Sequence, residues 1–274
     1  MTVQVSRAVE KELVRRVSAA DSVFCFLDYD GTLSPLAPTP DEAVALPGTS
    51  ALVRQLAAAP GVQVALVTGR PIADVRRFLD IPEIYYMGTH GLEVRSPSGE
   101  TRTAEGIDSV RSALSEIKQQ LRQSLRMQSG ILLEDKGAAL ACHYRLAAPA
   151  AAAAARKLIA ASAHDHQRRG VPITLVYGHA VAELRPTHFN KGKAACALLA
   201  MHAPAALPLY IGDDQTDEDA FELLPPESIT VRVAPARTPT HARYRVRGPS
   251  DVHHLLREVL EARAAGAPSA DADH

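Results

Sequence analysis

The stretch Val23-Phe24-Cys25-Phe26-Leu27-Asp28-Tyr29-Asp30-Gly31-Thr32-Leu33 decides the fold. An apolar run of strand length stops at two carboxylates and a glycine. Aromatic and β-branched residues without polar alternation indicate a strand buried on both faces, as in a parallel sheet. Open α/β sheets bind ligands at the carboxyl edge, where Asp28 and Asp30 fall. In extended backbone, residues two apart point the same way, so both carboxylates are expected on one side. Gly31 permits a tight turn and a close approach of backbone N–H groups to an anion.

The rest of the chain bounds what this strand serves. With 274 residues there is room for one large domain or two smaller ones. Hydrophobic residues make up 46% and charged residues 22%, ordinary for a soluble globular chain. Aromatics are only 4% and Trp is absent, so the core must be aliphatic and rich in Ala. A net charge of -1 gives no electrostatic reason to expect nucleic acid or a membrane surface as partner. Three cysteines do not form a disulfide framework; Cys25, Cys142 and Cys196 read as small buried hydrophobes. No signal-peptide core and no run long enough to span a bilayer is present, which points to a reducing, cytoplasmic location.

Working outward, residues 1–21 read as a polar leader with some helix. Beyond the opening strand, an amphipathic helix follows Pro47-Gly48 to about Ala58, and Val62–Val67 is a second strand. That strand ends in Thr68-Gly69-Arg70-Pro71, with Pro71 placed to start a helix through Phe78. A third strand, Ile84–Met87, precedes Gly88-Thr89-His90-Gly91. This order predicts a doubly wound, Rossmann-like parallel sheet. Between 101 and 184 the pattern becomes helix–strand–strand twice, an α+β layer inserted as a cap. The parallel pattern then resumes, so the core is read as 22–100 plus 185–264, with Asp251 capping the last helix and 265–274 a flexible tail.

Four patches fall at strand ends or helix starts: Asp28 with Asp30, Thr68-Gly69-Arg70, Lys191, and Asp213-Asp214 with Asp217 close by. Parallel strands bring such ends to one rim. Carboxylates, a hydroxyl and an ammonium on one rim suit phosphoryl transfer with a hard divalent ion. A calcium loop starting at Asp213 fails, because position six is Glu218 and position twelve is Leu224. His164-Asp165-His166 and His253-His254 lack the spacing that puts two His on one helix face, so they are read as exposed polar faces. The stretch Arg232, Arg237, Arg243, Arg245 and Arg247 lacks the aromatic interleaving of a nucleic-acid site and reads as a solvated face or as local pairing.

The motifs together carry a resemblance. Asp28-x-Asp30-Gly31-Thr32-Leu33-Ser34-Pro35, Thr68-Gly69-Arg70, Lys191 and Gly212-Asp213-Asp214-x-Thr216-Asp217-Glu218 match the four motifs of the haloacid dehalogenase (HAD) superfamily of phosphotransferases. More narrowly, the chain is similar to the trehalose-6-phosphate phosphatase family through His90-Gly91, Glu134-Asp135-Lys136-Gly137, His143-Tyr144-Arg145, Glu183-Leu184-Arg185-Pro186 and Asn190-Lys191-Gly192.

The resemblance implies a HAD core with a mobile α+β cap, Mg²⁺ as cofactor, and release of trehalose and phosphate as the final step of trehalose biosynthesis. It implies Asp28 as nucleophile, Asp30 as acid/base, and Lys191 with them in catalysis. Phosphate would be held by Tyr29, Gly31, Thr68, Gly69, Arg70 and Lys191, and the metal by Asp28, the Asp30 carbonyl and Asp213, with Asp214 close by. Sugar would be read by His90, Glu134, Lys136, His143, Arg145, His179 and Glu183. The expected partner is a small-molecule sugar phosphate, for a monomer associated in function with trehalose-6-phosphate synthase.

Two departures stand out. Thr68 replaces the family's usual Ser, keeping the hydroxyl. Gly178-His179 stands where Gly-Lys is common, which would make recognition pH-sensitive. Other readings stay open: a related phosphatase acting on sucrose-6-phosphate or mannosyl-3-phosphoglycerate, or a non-catalytic sugar-phosphate-binding regulator.

Overall fold

The computed structural model describes residues 2–37, 39–104, 107–178, 180–187, 189–235 and 238–265. In chain order, β1 (Val3–Gln4), α1 (Arg7–Ala19), β2 (Val23–Asp28), α2 (Thr49–Ala58), β3 (Val62–Val67), α3 (Ile72–Val75), β4 (Tyr85–Gly88), β5 (Glu93–Arg95) and β6 (Thr101–Thr103) come first. Then follow α4 (Ile107–Leu125), β7 (Leu132–Asp135), β8 (Leu140–His143), α5 (Pro149–Arg168), β9 (Ile173–Gly178) and β10 (Val181–Pro186). The chain closes with α6 (Lys191–His202), β11 (Leu207–Gly212), α7 (Gln215–Leu223), β12 (Ile229–Val233), β13 (Tyr244–Val246) and α8 (Pro249–Ala265).

The chain divides into two units, one formed by residues up to Arg102 and from Asn190 onward, the other by Thr103–Phe189. The first holds a nine-stranded sheet in the order β1-β13-β12-β11-β2-β3-β4-β5-β6. Its strands run parallel from β1 across to β4, and β5 returns antiparallel. All six residues of β2 are buried. Alternation sorts them onto two cores. Val23, Cys25 and Leu27 join Leu13, Val17, Leu256 and Val259 of α1 and α8. Phe24 and Phe26 join Ala195, Leu199, Tyr210 and Phe221 on the side of α6 and α7. Each fully buried Val, Leu or Phe among them contributes roughly 1.5–3 kcal/mol. The same period of two sends Asp28 to the α6–α7 side.

The N-terminal segment departs from the expected leader. β1 pairs with β13, and Leu13 and Val17 of α1 are core residues. Its charged residues lie on the outer face, which disguises an amphipathic helix as a polar tail. Arg263 of α8 donates to the carbonyls of Val17 and Ala20 at the C-terminus of α1 and to Pro60, tying three segments together. Most of the tail expected over 265–274 lies outside the described residues.

The second unit has the sheet order β7-β8-β10-β9, all antiparallel, with α4 and α5 packed on it. Its last strand extends to Pro186, opposite Ile173, so Arg185-Pro186 closes the cap strand instead of reopening the core. Three local readings also change. The helix after Pro71 is a single turn, because Phe78 continues in turns and carries its ring to Arg70. Asp251 lies inside α8, where its carboxylate accepts from Arg247. His166 and His253 are buried, whereas His164 and His254 are exposed. Among the described residues, no helix is long and apolar enough to cross a membrane.

Candidate active site

Register brings the predicted patches to one edge of the core sheet. Asp28 is opposite Val67, so Thr68 follows at the same edge. Leu27 is opposite Ile211, which sets Asp213 just beyond the end of β11. Lys191 opens α6 behind the Asn190 cap, whose side chain accepts from the Lys193 N–H at 2.8 Å.

At the centre, the Lys191 ammonium donates to Asp28 Oδ1 at 2.6 Å and to Asp217 Oδ1 at 2.9 Å. All three side chains are buried. Tyr210, buried beneath them on β11, donates its hydroxyl to the same Asp217 oxygen at 2.8 Å. Asp217 Oδ2 accepts the Asp214 N–H at 2.9 Å, half of a reciprocal capping box that starts α7. Ligand oxygens of Asp28, Asp213 and Asp217 lie within 4.8 Å of one another. The approach is close enough to demand glycine nearby. Gly31 has φ +78°, and a Cβ there would sit 2.1 Å from Asp213 Oδ2; at Gly212 a Cβ would meet Asp217 Cγ at 2.3 Å.

Three carboxylates thus face one ammonium in a dry setting. Burial raises the Asp28 carboxyl well above its usual range; Lys191 opposes the rise, and Asp217 and Asp213 add to it. Burial, then Asp217 and Asp214, push Asp213 up to about 7. Burial disfavours the Lys191 charge, but Asp217 and Asp28 outweigh it and hold the ammonium protonated. Asp28 Oδ2 is buried and has no hydrogen-bond partner. A surplus of hard oxygen donors, one of them unsatisfied, fits a small divalent cation such as Mg²⁺.

Asp30 and Asp28 part company. The strand ends at Asp28, and the Tyr29 carbonyl accepts from Leu33 and Ser34, turning the chain. Asp30 is then gripped by Arg70, with Nε to Oδ2 at 2.7 Å and Nη2 to Oδ1 at 2.6 Å. The guanidinium lies over the Tyr29 and Phe78 rings, 5.6 and 5.4 Å from their centroids. Buried Thr68 accepts the Arg70 N–H at 3.1 Å. Gly69 packs under the His90 imidazole, in a turn where Thr89 and His90 both have positive φ. That turn is tied back by Thr89 N–H to Arg70 O and His90 N–H to Thr68 O.

Asp214 is not brought into the cluster: its exposed carboxylate caps α7 and accepts the Thr216 hydroxyl at 3.3 Å. Asp217 stands in the cluster instead. The Asp214-x-x-Asp217 spacing of a capping box was the available signal. Nothing in sequence marks Tyr210 beyond its place in an apolar strand.

The cap residues form their own array. Glu134 and Glu183 both register with Ala141, so they flank a small residue on one face of the sheet, with His143 on the same face. His143 Nε2 is 2.9 Å from Glu134 Oε2. Gly137, with φ +77°, turns the hairpin so that Lys136 reaches Glu183 Oε2 at 2.9 Å and Glu134 at 4.0 Å. Arg145 is exposed beyond the end of β8. His179 lies outside the described residues.

A largely parallel sheet with an acidic carboxyl edge and an inserted cap defines the HAD-type α/β fold. The chain belongs to the trehalose-phosphatase family, whose family model matches residues 26–250. It is 31% identical over 254 residues to trehalose-phosphate phosphatase B of Arabidopsis thaliana, covering 87% of this chain and 66% of that protein. It is 35% identical over 213 residues to the trehalose-phosphate phosphatase of Mycobacterium marinum, covering 76% and 53%. The chain thus spans about half to two thirds of the length of these relatives. In structure it is similar to the trehalose-6-phosphate phosphatase of Aspergillus fumigatus, with a TM-score of 0.75 and 26% identity over 96% of this chain and 100% of that one.

Proposed function

We propose that this chain hydrolyses trehalose 6-phosphate to trehalose and inorganic phosphate, with Mg²⁺ as cofactor. The observation that carries the reading is the buried Asp28–Lys191–Asp217 cluster with the unsatisfied Asp28 Oδ2. A carboxylate oxygen of Asp28 attacks phosphorus, and the bond from phosphorus to the sugar oxygen breaks. Asp30 gives that oxygen its proton. Water then attacks the aspartyl-phosphate, Asp30 takes the proton, and the bond to Asp28 breaks. Lys191 holds Asp28 in place and neutralises phosphate oxygens, with Thr68 and the backbone N–H groups over Tyr29–Gly31 completing the anion cradle.

Asp28, the Asp30 carbonyl, Asp213 and Asp217 would hold Mg²⁺, which would supply positive charge against the phosphate and the crowded carboxylates. Asp28 and Asp213, both raised by burial and by neighbouring carboxylates, are the groups whose charge such an ion would offset. The cap face bearing Glu134, Lys136, His143 and Glu183 offers fixed donors and acceptors of the kind that sugar hydroxyls require, which supports it as the sugar-reading surface.

Phosphate release from trehalose 6-phosphate, glucose 6-phosphate and sucrose 6-phosphate, with and without Mg²⁺, tests the proposal. Preference for trehalose 6-phosphate and loss of turnover without the ion are expected. Equal rates on all three substrates would overturn the substrate assignment, and full turnover by Asp28→Asn would overturn the covalent route.

A further inference from the structure

A second set of metal-ligating side chains converges away from the acidic rim, where α1 packs on α8. Glu10 lies in the first turn of α1. His254 and Glu258 are four apart on α8 and so share one helix face. The two helices are locked together by Leu13, Val17, Leu256 and Val259 in one core, so the three side chains are presented on rigid elements. His254 Nε2 is 2.8 Å from Glu10 Oε1. One ligand atom from each of Glu10, His254 and Glu258 lies within 4.8 Å of the others.

A simple ion pair accounts for two of these groups and leaves the third unexplained. The Glu10 side chain is 15% exposed and takes the single imidazole. Among the described residues, Glu258 draws no hydrogen bond or ion pair of its own. A second carboxylate beside the first concentrates negative charge around one imidazole and favours a cation there. His253, its neighbour in sequence, does not compete: it is buried and turned inward onto Thr49 Oγ1 at 2.9 Å.

We propose that Glu10, His254 and Glu258 form a site for a divalent transition metal of the zinc class. One imidazole nitrogen and two carboxylates are a donor set that zinc accepts, with water in the fourth position. Magnesium, which prefers oxygen alone, is a poor match for it. His254 is 61% exposed, so an ion reaches the site directly from solvent. Bound there, the ion clips the first helix of the core unit to its last, at the opposite end of α1 from the Arg263 ties.

The test is calorimetric titration of the full chain with zinc chloride in excess Mg²⁺, with thermal unfolding followed alongside. The comparison of wild type with Glu258→Gln cancels any zinc taken by the acidic rim. Wild type is expected to show a zinc event that the variant loses or binds at least tenfold more weakly, and a zinc-dependent rise in Tm. Glu258→Gln leaves the Glu10–His254 pair intact, so its metal-free Tm is expected to match wild type while zinc affinity at this site drops tenfold or more. His254→Gln should lose the event altogether; if that variant fails to fold, Glu258→Gln decides alone. Equal zinc binding by wild type and Glu258→Gln, or no zinc binding by wild type in excess Mg²⁺, overturns the proposal.

Discussion

Arg70 holds Asp30 by two parallel hydrogen bonds of 2.7 and 2.6 Å while its own guanidinium is pressed against Tyr29 and Phe78. Both carboxylate oxygens are engaged, so under the proposed route Asp30 would have to release at least one of them to pass a proton to the leaving group. Arg70, expected from sequence to bind phosphate, is paired with Asp30 in this structure, so under the proposed route it would orient the acid/base. Arg70→Ala should lower kcat on the order of ten- to a hundredfold. Arg70→Lys should recover only part of it, because lysine lacks the planar fork. In an Asp30→Asn background the arginine substitution should add little. Steady-state kinetics of the four proteins checks this; a full additional loss in the double variant would separate Arg70 from Asp30.

Tyr210 reports on Asp217. Its hydroxyl donates to the oxygen that Lys191 also uses, in a fully buried setting. Tyr210→Phe removes a hydrogen bond to a charged acceptor and should cost about 1.5–3 kcal/mol of stability. Urea unfolding measures it. An unchanged midpoint would show that the bond contributes nothing net.

Stability and metal binding should be linked through Asp213. Its carboxyl ionises near 3.8 in an ordinary setting and at about 7 in the fold. Between those values the folded state binds the extra proton, so metal-free stability falls as pH rises through the window. Burial raises Asp28 in the same direction, and it adds to the slope. Mg²⁺ competes with these protons, so the rise in Tm on adding Mg²⁺ should be larger at about pH 8 than at about pH 5.5. A shift independent of pH would count against Asp213 as a ligand.

Sugar recognition and chemistry should separate kinetically. Glu183→Ala removes the partner of Lys136 from the cap face. KM for trehalose 6-phosphate should then rise roughly ten- to a hundredfold, the worth of a charged hydrogen bond. KM for a small aryl phosphate should hardly move. Equal changes on both substrates would remove Glu183 from sugar reading.

Legibility followed length and burial. β2 and β3 were readable because their apolar runs are continuous and buried on both faces. β1, β5, β6 and β13 were not, since two- and three-residue strands carry no period. In β13, the buried Arg245 looked like part of a basic surface stretch. His166 could have been found: Ala155, Ile159, Ala163 and His166 form one inward stripe of α5. At the rim, composition announced an acidic edge, but only packing decides between Asp214 and Asp217. One side chain caps the backbone of α7, and the other is drawn under Lys191.

The order of synthesis gives the 163-residue separation between Asp28 and Lys191 a further meaning. β2 leaves the ribosome with β3 close behind it, but its other neighbour, β11, begins at Leu207. At about 5–20 residues per second, the strand that ends in Asp28 waits on the order of ten to forty seconds with one edge unpaired. During that time the exposed flank of Val23–Asp28 is a hydrophobic edge that other chains could pair with. Completion of the reactive cluster and protection of that edge therefore come late together. Shielding of the nascent chain would matter most in this interval, well before any substrate is met.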